Sequence, residues 1–137
     1  MEVKRQMKIP ADIFYKKIID SVLYDIHSVT GKIVNEKQLK DFEYVKKFSR
    51  NISAKIKIEE AETNSIYRFR TSTTKNDFVT EYTIIPVNDE TCQLVYKESM
   101  VSYGLFQRLN DLLIGSLMTF FKKRHFKKML QMMEESY

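Results

Sequence analysis

The chain has 137 residues, 43% hydrophobic and 30% charged, with a formal charge of 23 − 18 = +5. These proportions exclude a disordered chain, and a charge this small is weak evidence by itself for an anionic partner. A single cysteine, Cys92, excludes an intramolecular disulfide and points to a reducing compartment.

The length fits one domain over residues 1–137, which would bury roughly two-thirds of the surface its unfolded chain exposes. Met1 to Ile9 alternates charged and apolar residues and has no apolar core of a signal peptide. No stretch offers the ~18 uncharged apolar residues that a spanning helix needs. A soluble cytoplasmic protein is expected.

Val3, Arg5, Met7 and Ile9 alternate with Glu2, Lys4, Gln6 and Lys8, the pattern of a half-buried strand. Pro10 stops it and can open a helix, because its missing N–H costs nothing in a first turn. Phe14, Ile18, Val22 and Ile26, flanked by Ile19 and Leu23, form an apolar stripe from Ala11 to about Ser28. Gly31 suits a left-handed cap at its end. Asn35 resembles an N-cap for a short helix from Glu36 to about Leu39.

The period then becomes twofold. Phe42 to Phe48, Ala54 to Glu59, Tyr67 to Ser72, Phe78 to Ile85 and Cys92 to Glu98 each alternate, separated by turns at Arg50-Asn51, Thr63-Asn64-Ser65, Lys75-Asn76-Asp77 and Asn88-Asp89-Glu90. Five such strands make an antiparallel meander. From Gly104 to Ser136 the helical period returns, with Leu105, Leu109, Leu112, Leu113, Leu117, Phe120 and Phe121 at three- and four-residue spacing. A helix of this length would span roughly 50 Å. Its later apolar residues, Phe126, Met129, Leu130 and Met133, point elsewhere, so a bend is expected near Gly115-Ser116. The sheet needs a cover for its apolar face, and this helix is the long apolar object available.

The order strand, two helices, five strands, long helix resembles the helix-grip fold of the START-like (SRPBCC) superfamily. Leu23-Tyr24-Asp25-Ile26, Thr30-Gly31-Lys32, Phe42-Glu43-Tyr44, Phe121-Lys122-Lys123-Arg124 and Phe126-Lys127-Lys128-Met129-Leu130 follow one another along the chain. As an ordered set they give it a narrower resemblance, to the bacterial domain-of-unknown-function family 3284. The resemblance implies an α+β fold, a curved antiparallel sheet of about six strands wrapped on a long C-terminal helix. It also implies a cavity between them that superfamily members use for lipids, sterols and other apolar molecules. It implies no reaction, because fold does not fix function.

The two histidines, His27 and His125, lie on different expected helices, and one cysteine gives no Cys/His cluster, so neither a metal nor a cofactor is expected. Cys92 reads as a structural core residue. Three glycines cannot build a phosphate loop. Tyr44, Tyr67, Phe69, Tyr82 and Tyr96 share the inward face, where phenols could orient a ligand or simply fill the core. Lys46, Glu60 and Glu98 share that parity, as cavity groups, as strand-end residues beyond the core, or as residues whose parity slips through a bulge.

A binding module for an apolar or amphipathic small molecule is the expected function. Its cavity candidates are Tyr44, Ile56, Ile58, Phe69, Tyr82, Leu94, Tyr96, Leu109, Leu113 and Leu117. The alternative is a polyketide-cyclase-like enzyme using cavity tyrosines and Glu98 as acid and base. The run Lys122, Lys123, Arg124, Lys127 and Lys128 is the densest charge in the chain. Its candidate partners are an anionic membrane surface, with Phe121, Phe126 and Met129 entering the interface, or an acidic protein; a solvated helix face is the plain alternative. Nucleic acid is disfavoured, because no aromatic-basic stacking platform accompanies it.

Overall fold

The computed structural model describes residues 1–102 and 122–137. Of the helix expected from Gly104 to Ser136, the part from Gly104 to Phe121 lies outside the described residues, and with it the bend expected near Gly115-Ser116 and the cavity candidates Leu109, Leu113 and Leu117.

Strand β1 (Glu2–Met7) leads into helix α1 (Ala11–Thr30), a short 3-10 turn (Glu36–Gln38), and then β2 (Glu43–Ser49), β3 (Ile52–Glu62), β4 (Ile66–Ser72), β5 (Asn76–Pro86) and β6 (Cys92–Ser102). Helix α2 covers residues 122–135. The strands form one antiparallel sheet in the order β1-β6-β5-β4-β3-β2, so the meander holds and β1 joins it beside its last strand. The fold is the α+β helix grip that the element order implied.

Local chemistry sets the element ends. Gly31 takes φ 73° and its N–H donates to the His27 carbonyl at 2.9 Å, which ends α1; a left-handed residue is cheap here only because glycine has no Cβ. The strands run longer than their alternation suggested. β6 continues past Glu98 to Ser102 because Val101 and Ser102 find ladder partners in Asp77 and Asn76.

One face of the sheet carries the core. Val3, Met7, Ile58, Tyr67, Ile84, Cys92, Leu94 and Tyr96 pack there against Phe14, Tyr15, Ile18, Ile19 and Ile26 of α1 and Phe126 and Leu130 of α2. Arg5 shares the parity of Val3 and Met7. Its guanidinium reaches Glu134 of α2, with Nε donating at 3.0 Å, and the Lys8 backbone N–H donates to the same carboxylate at 2.8 Å. A charge at an inward position is tolerated because it is paired and hydrogen-bonded. The outer face instead carries an ionic network, in which Arg68 pairs with Glu59 and Glu81, and Arg70 with Glu59 and Asp77.

A bulge between Ile58 and Glu60 resets the parity of β3. Glu60 therefore turns away from the cavity, opposite Arg68, with Lys40 Nζ at 3.6 Å, which corrects its inward assignment. Among the described residues, no helix is long and apolar enough to cross a membrane.

Candidate functional site

The sheet curves away from α1 and leaves a cavity of about 750 Å³. Helix α1 supplies Phe14, Lys17, Ile18, Ser21, Val22, Tyr24 and Asp25 to its wall. The strands supply Tyr44, Lys46 and Phe48 from β2, Ala54 and Ile56 from β3, Tyr67, Phe69 and Thr71 from β4, Phe78, Thr80 and Tyr82 from β5, and Glu98 from β6. Helix α2 adds Lys122, Met129 and Met133. Alternation explains the strand contributions: in β5, residues 78, 80 and 82 all point the same way.

Two polar clusters interrupt this apolar lining, and they share one design. Asp25 accepts a hydrogen bond from the Tyr44 hydroxyl at 2.6 Å and another from Lys46 Nζ at 2.7 Å. Glu98 accepts from the Tyr96 hydroxyl at 2.8 Å and from Lys122 Nζ at 3.2 Å. Each cluster is a carboxylate held by one phenol and one ammonium. Burial would raise the Asp25 pKa, but the bonds from Lys46 and Tyr44 and the Lys46 charge outweigh it and hold it below the usual carboxylate range.

The phenols move the other way. Burial first, then the bond to Asp25, pushes Tyr44 up. Burial and the bond to Glu98 do the same to Tyr96. Burial, with a smaller effect of Glu98, pushes Tyr82 up to about 12. These hydroxyls are protonated donors at neutral pH. An aromatic seam supports them: Tyr82 meets Tyr96 edge-on at 5.0 Å, and Tyr96 stacks on Phe126 at 4.1 Å. Cys92 is fully buried in the core, and burial pushes its thiol up to about 11, with Glu134 adding to the effect. It is thus a protonated packing residue and a poor nucleophile.

Of the sequence-derived cavity candidates, Tyr44, Ile56, Phe69 and Tyr82 lie in the wall. Ile58 and Leu94 have no exposed surface and belong to the core beneath it, as does Tyr96, whose ring is covered by Phe126. Their strand positions face the right way, but the helices pack directly on them and leave no gap. Lys122 leaves the basic run to join the cavity wall through Glu98. Phe126 is only 9% exposed, so it is not free to enter a membrane interface as expected. The contribution of α1 was missed. Its signal was the polar series Lys17, Ser21, Asp25 at four-residue steps beside the stripe Phe14, Ile18, Val22.

The architecture is a START-like helix-grip fold, a six-stranded antiparallel sheet packed against helices. The sequence matches the family described as Domain of unknown function (DUF3284) over residues 1–119, and the chain belongs to that family. A search of curated proteins finds no match. Among solved structures, the chain is similar to a conserved protein from Geobacillus kaustophilus, with TM-score 0.57, 15% identity, and coverage of 98% of this chain and 95% of that one. It is also similar to Mll3558 from Rhizobium loti, with TM-score 0.50, 10% identity, and coverage of 76% and 79%. A third likeness is to DynU16, a protein of the dynemicin biosynthetic locus, with TM-score 0.51 and 15% identity, where 85% of this chain matches 42% of that one. At these identities the likeness speaks for the fold alone.

Proposed function

We propose that the protein binds one apolar or amphipathic small molecule, lipid-like in character, in the cavity between the sheet and its helices. The observation that carries this is the cavity itself. Its volume of about 750 Å³ lies within the usual range for small-molecule sites, and a mainly apolar wall with a few convergent polar groups is their usual composition. The methionines at 129 and 133 add an adaptable surface. Native mass spectrometry of protein purified from its source tests this: a retained mass of lipid or metabolite size is expected. Tyr82→Ala and Phe69→Ala should each weaken its retention by roughly tenfold, since each removes a large apolar contact. Protein that carries nothing, and binds no apolar compound offered, would sink the reading.

A second reading has one observation in its favour. Glu98 lines the cavity and accepts a hydrogen bond from Tyr96. A carboxylate that lines a cavity can take a proton from a bound substrate, and the protonated phenol of Tyr82 in the same wall can donate to the developing oxyanion. This would make the protein polyketide-cyclase-like. If it holds, Glu98→Gln binds the retained compound but no longer converts it. Binding remains the primary reading, because Lys122 and Tyr96 already occupy the Glu98 carboxylate.

A further inference from the structure

The charges in the described wall of the cavity do not cancel. Asp25 is matched by Lys46 at 2.7 Å and Glu98 by Lys122 at 3.2 Å. The remaining charged side chain in the described wall is Lys17. Its ammonium meets only the Ser136 hydroxyl, at 3.5 Å, and among the described residues no carboxylate lies within ion-pair distance of it. Three ammonium groups face two carboxylates, so the described wall carries a net charge of 3 − 2 = +1.

The position of Lys17 gives this charge a direction. Lys17, Ser21 and Asp25 follow at four-residue steps on α1, so they lie on one face, and Lys17 stands roughly 12 Å along the axis from the Asp25 cluster. Ile18 and Val22 fill the cavity wall between them. One end of the site thus offers an ammonium and a hydroxyl one turn apart, followed by an apolar run. We infer that the ligand is a monoanionic amphiphile, a long-chain carboxylate, whose head sits at Lys17 and Ser21 and whose tail runs past Ile18 and Val22. This rests on the cavity reading above and adds the head group to it. This ammonium is partly exposed and hydrated when the site is empty; a carboxylate gains its attraction, a neutral head gains none, and a cationic one is repelled by it. A dianionic phosphate monoester would exceed the single positive charge.

The test is isothermal titration calorimetry with dodecanoate, dodecanol and dodecylammonium, each below its micellar concentration. Dodecanoate is expected to bind at least tenfold more tightly than either of the others. Lys17→Gln should reduce the carboxylate-to-alcohol affinity ratio about tenfold. Lys16→Gln, an exposed neighbour outside the cavity wall, should leave that ratio as it is. Thermal unfolding of both variants checks that they are folded. If dodecanol or dodecylammonium binds as tightly as dodecanoate, or Lys17→Gln leaves the ratio unchanged, the head-group inference is wrong while the cavity reading stands. If none of the three binds, the head-group inference falls, and the native mass spectrum alone decides the cavity reading.

Discussion

The carboxylate of Asp25 joins α1 to edge strand β2 through Tyr44 and Lys46. Its pKa is lowered in the folded protein, so its contribution is present above the ordinary aspartate value of 3.8 and is lost as pH falls below it toward the folded value. Asp25→Asn should therefore cost about 1 kcal/mol near neutral pH. The gap to wild type should close in strong acid, where the wild-type carboxylate is also neutral. Urea midpoints from neutral pH down to well below 3.8 read this directly; a gap that never narrows along the series would show that the pairing with Lys46 contributes nothing. At Glu98 the same design joins β6 to α2. Sequence parity placed Lys46 and Glu98 correctly. For Glu60 the bulge alternative holds: one inserted residue turns it to the other face, and nothing local in Ile58-Glu59-Glu60 says which strand carries the bulge.

At the scale of an element, α2 divides its residues cleanly. Phe126 and Leu130 are buried and Met133 is half-buried, while Arg124, Lys127 and Lys128 are exposed. Among the described residues these three cations have no carboxylate partner within ion-pair distance. We propose that this face adsorbs to acidic surfaces by charge alone, since Phe126 is held under Tyr96 and Tyr82. Vesicles containing acidic lipid should sediment the protein weakly, at ~1 kcal/mol per cation near the surface, and salt should release it. Equal sedimentation with neutral vesicles would argue for a solvated face. The sequence showed the cluster but not which cations were free. Lys122 belongs to Glu98, and that depends on where β6 lies, a fact no local pattern contains.

Across the whole molecule, burial pushes five phenols upward: Tyr15, Tyr44, Tyr67, Tyr82 and Tyr96. Each stays protonated in the folded chain above pH ~10, where it ionises once unfolded. A raised folded pKa gives stability that is complete below the unfolded value and declines as pH rises toward the folded one. The protein should thus lose stability steeply between pH 10 and about 12, the value to which Tyr15 and Tyr82 are pushed. Urea midpoints across this range, with phenolate absorbance recorded on the same samples, measure it. Early phenolate absorbance from folded protein would contradict the burial of these rings. The sheet was legible because strands exposed on one face alternate with period two. The cavity was only half legible. Strand parity predicted Tyr44, Ile56, Phe69 and Tyr82, whereas the α1 wall depends on how far a curved sheet stands from a helix, and curvature leaves little trace in a single strand.

The placement of β1 beside β6 also bears on how the chain comes to be folded. Val3 lies opposite Tyr96, and Met7 opposite Cys92. During synthesis β1 leaves the ribosome before its sheet neighbour β6 has been made, and its buried residues wait through the translation of α1 and four further strands. The β2-to-β6 meander can assemble from local hairpins as it emerges, but β1 closes the largest loop in the sheet. Val3 and Met7 therefore lack their strand partners Tyr96 and Cys92 until β6 has been made, and are open to other contacts until then.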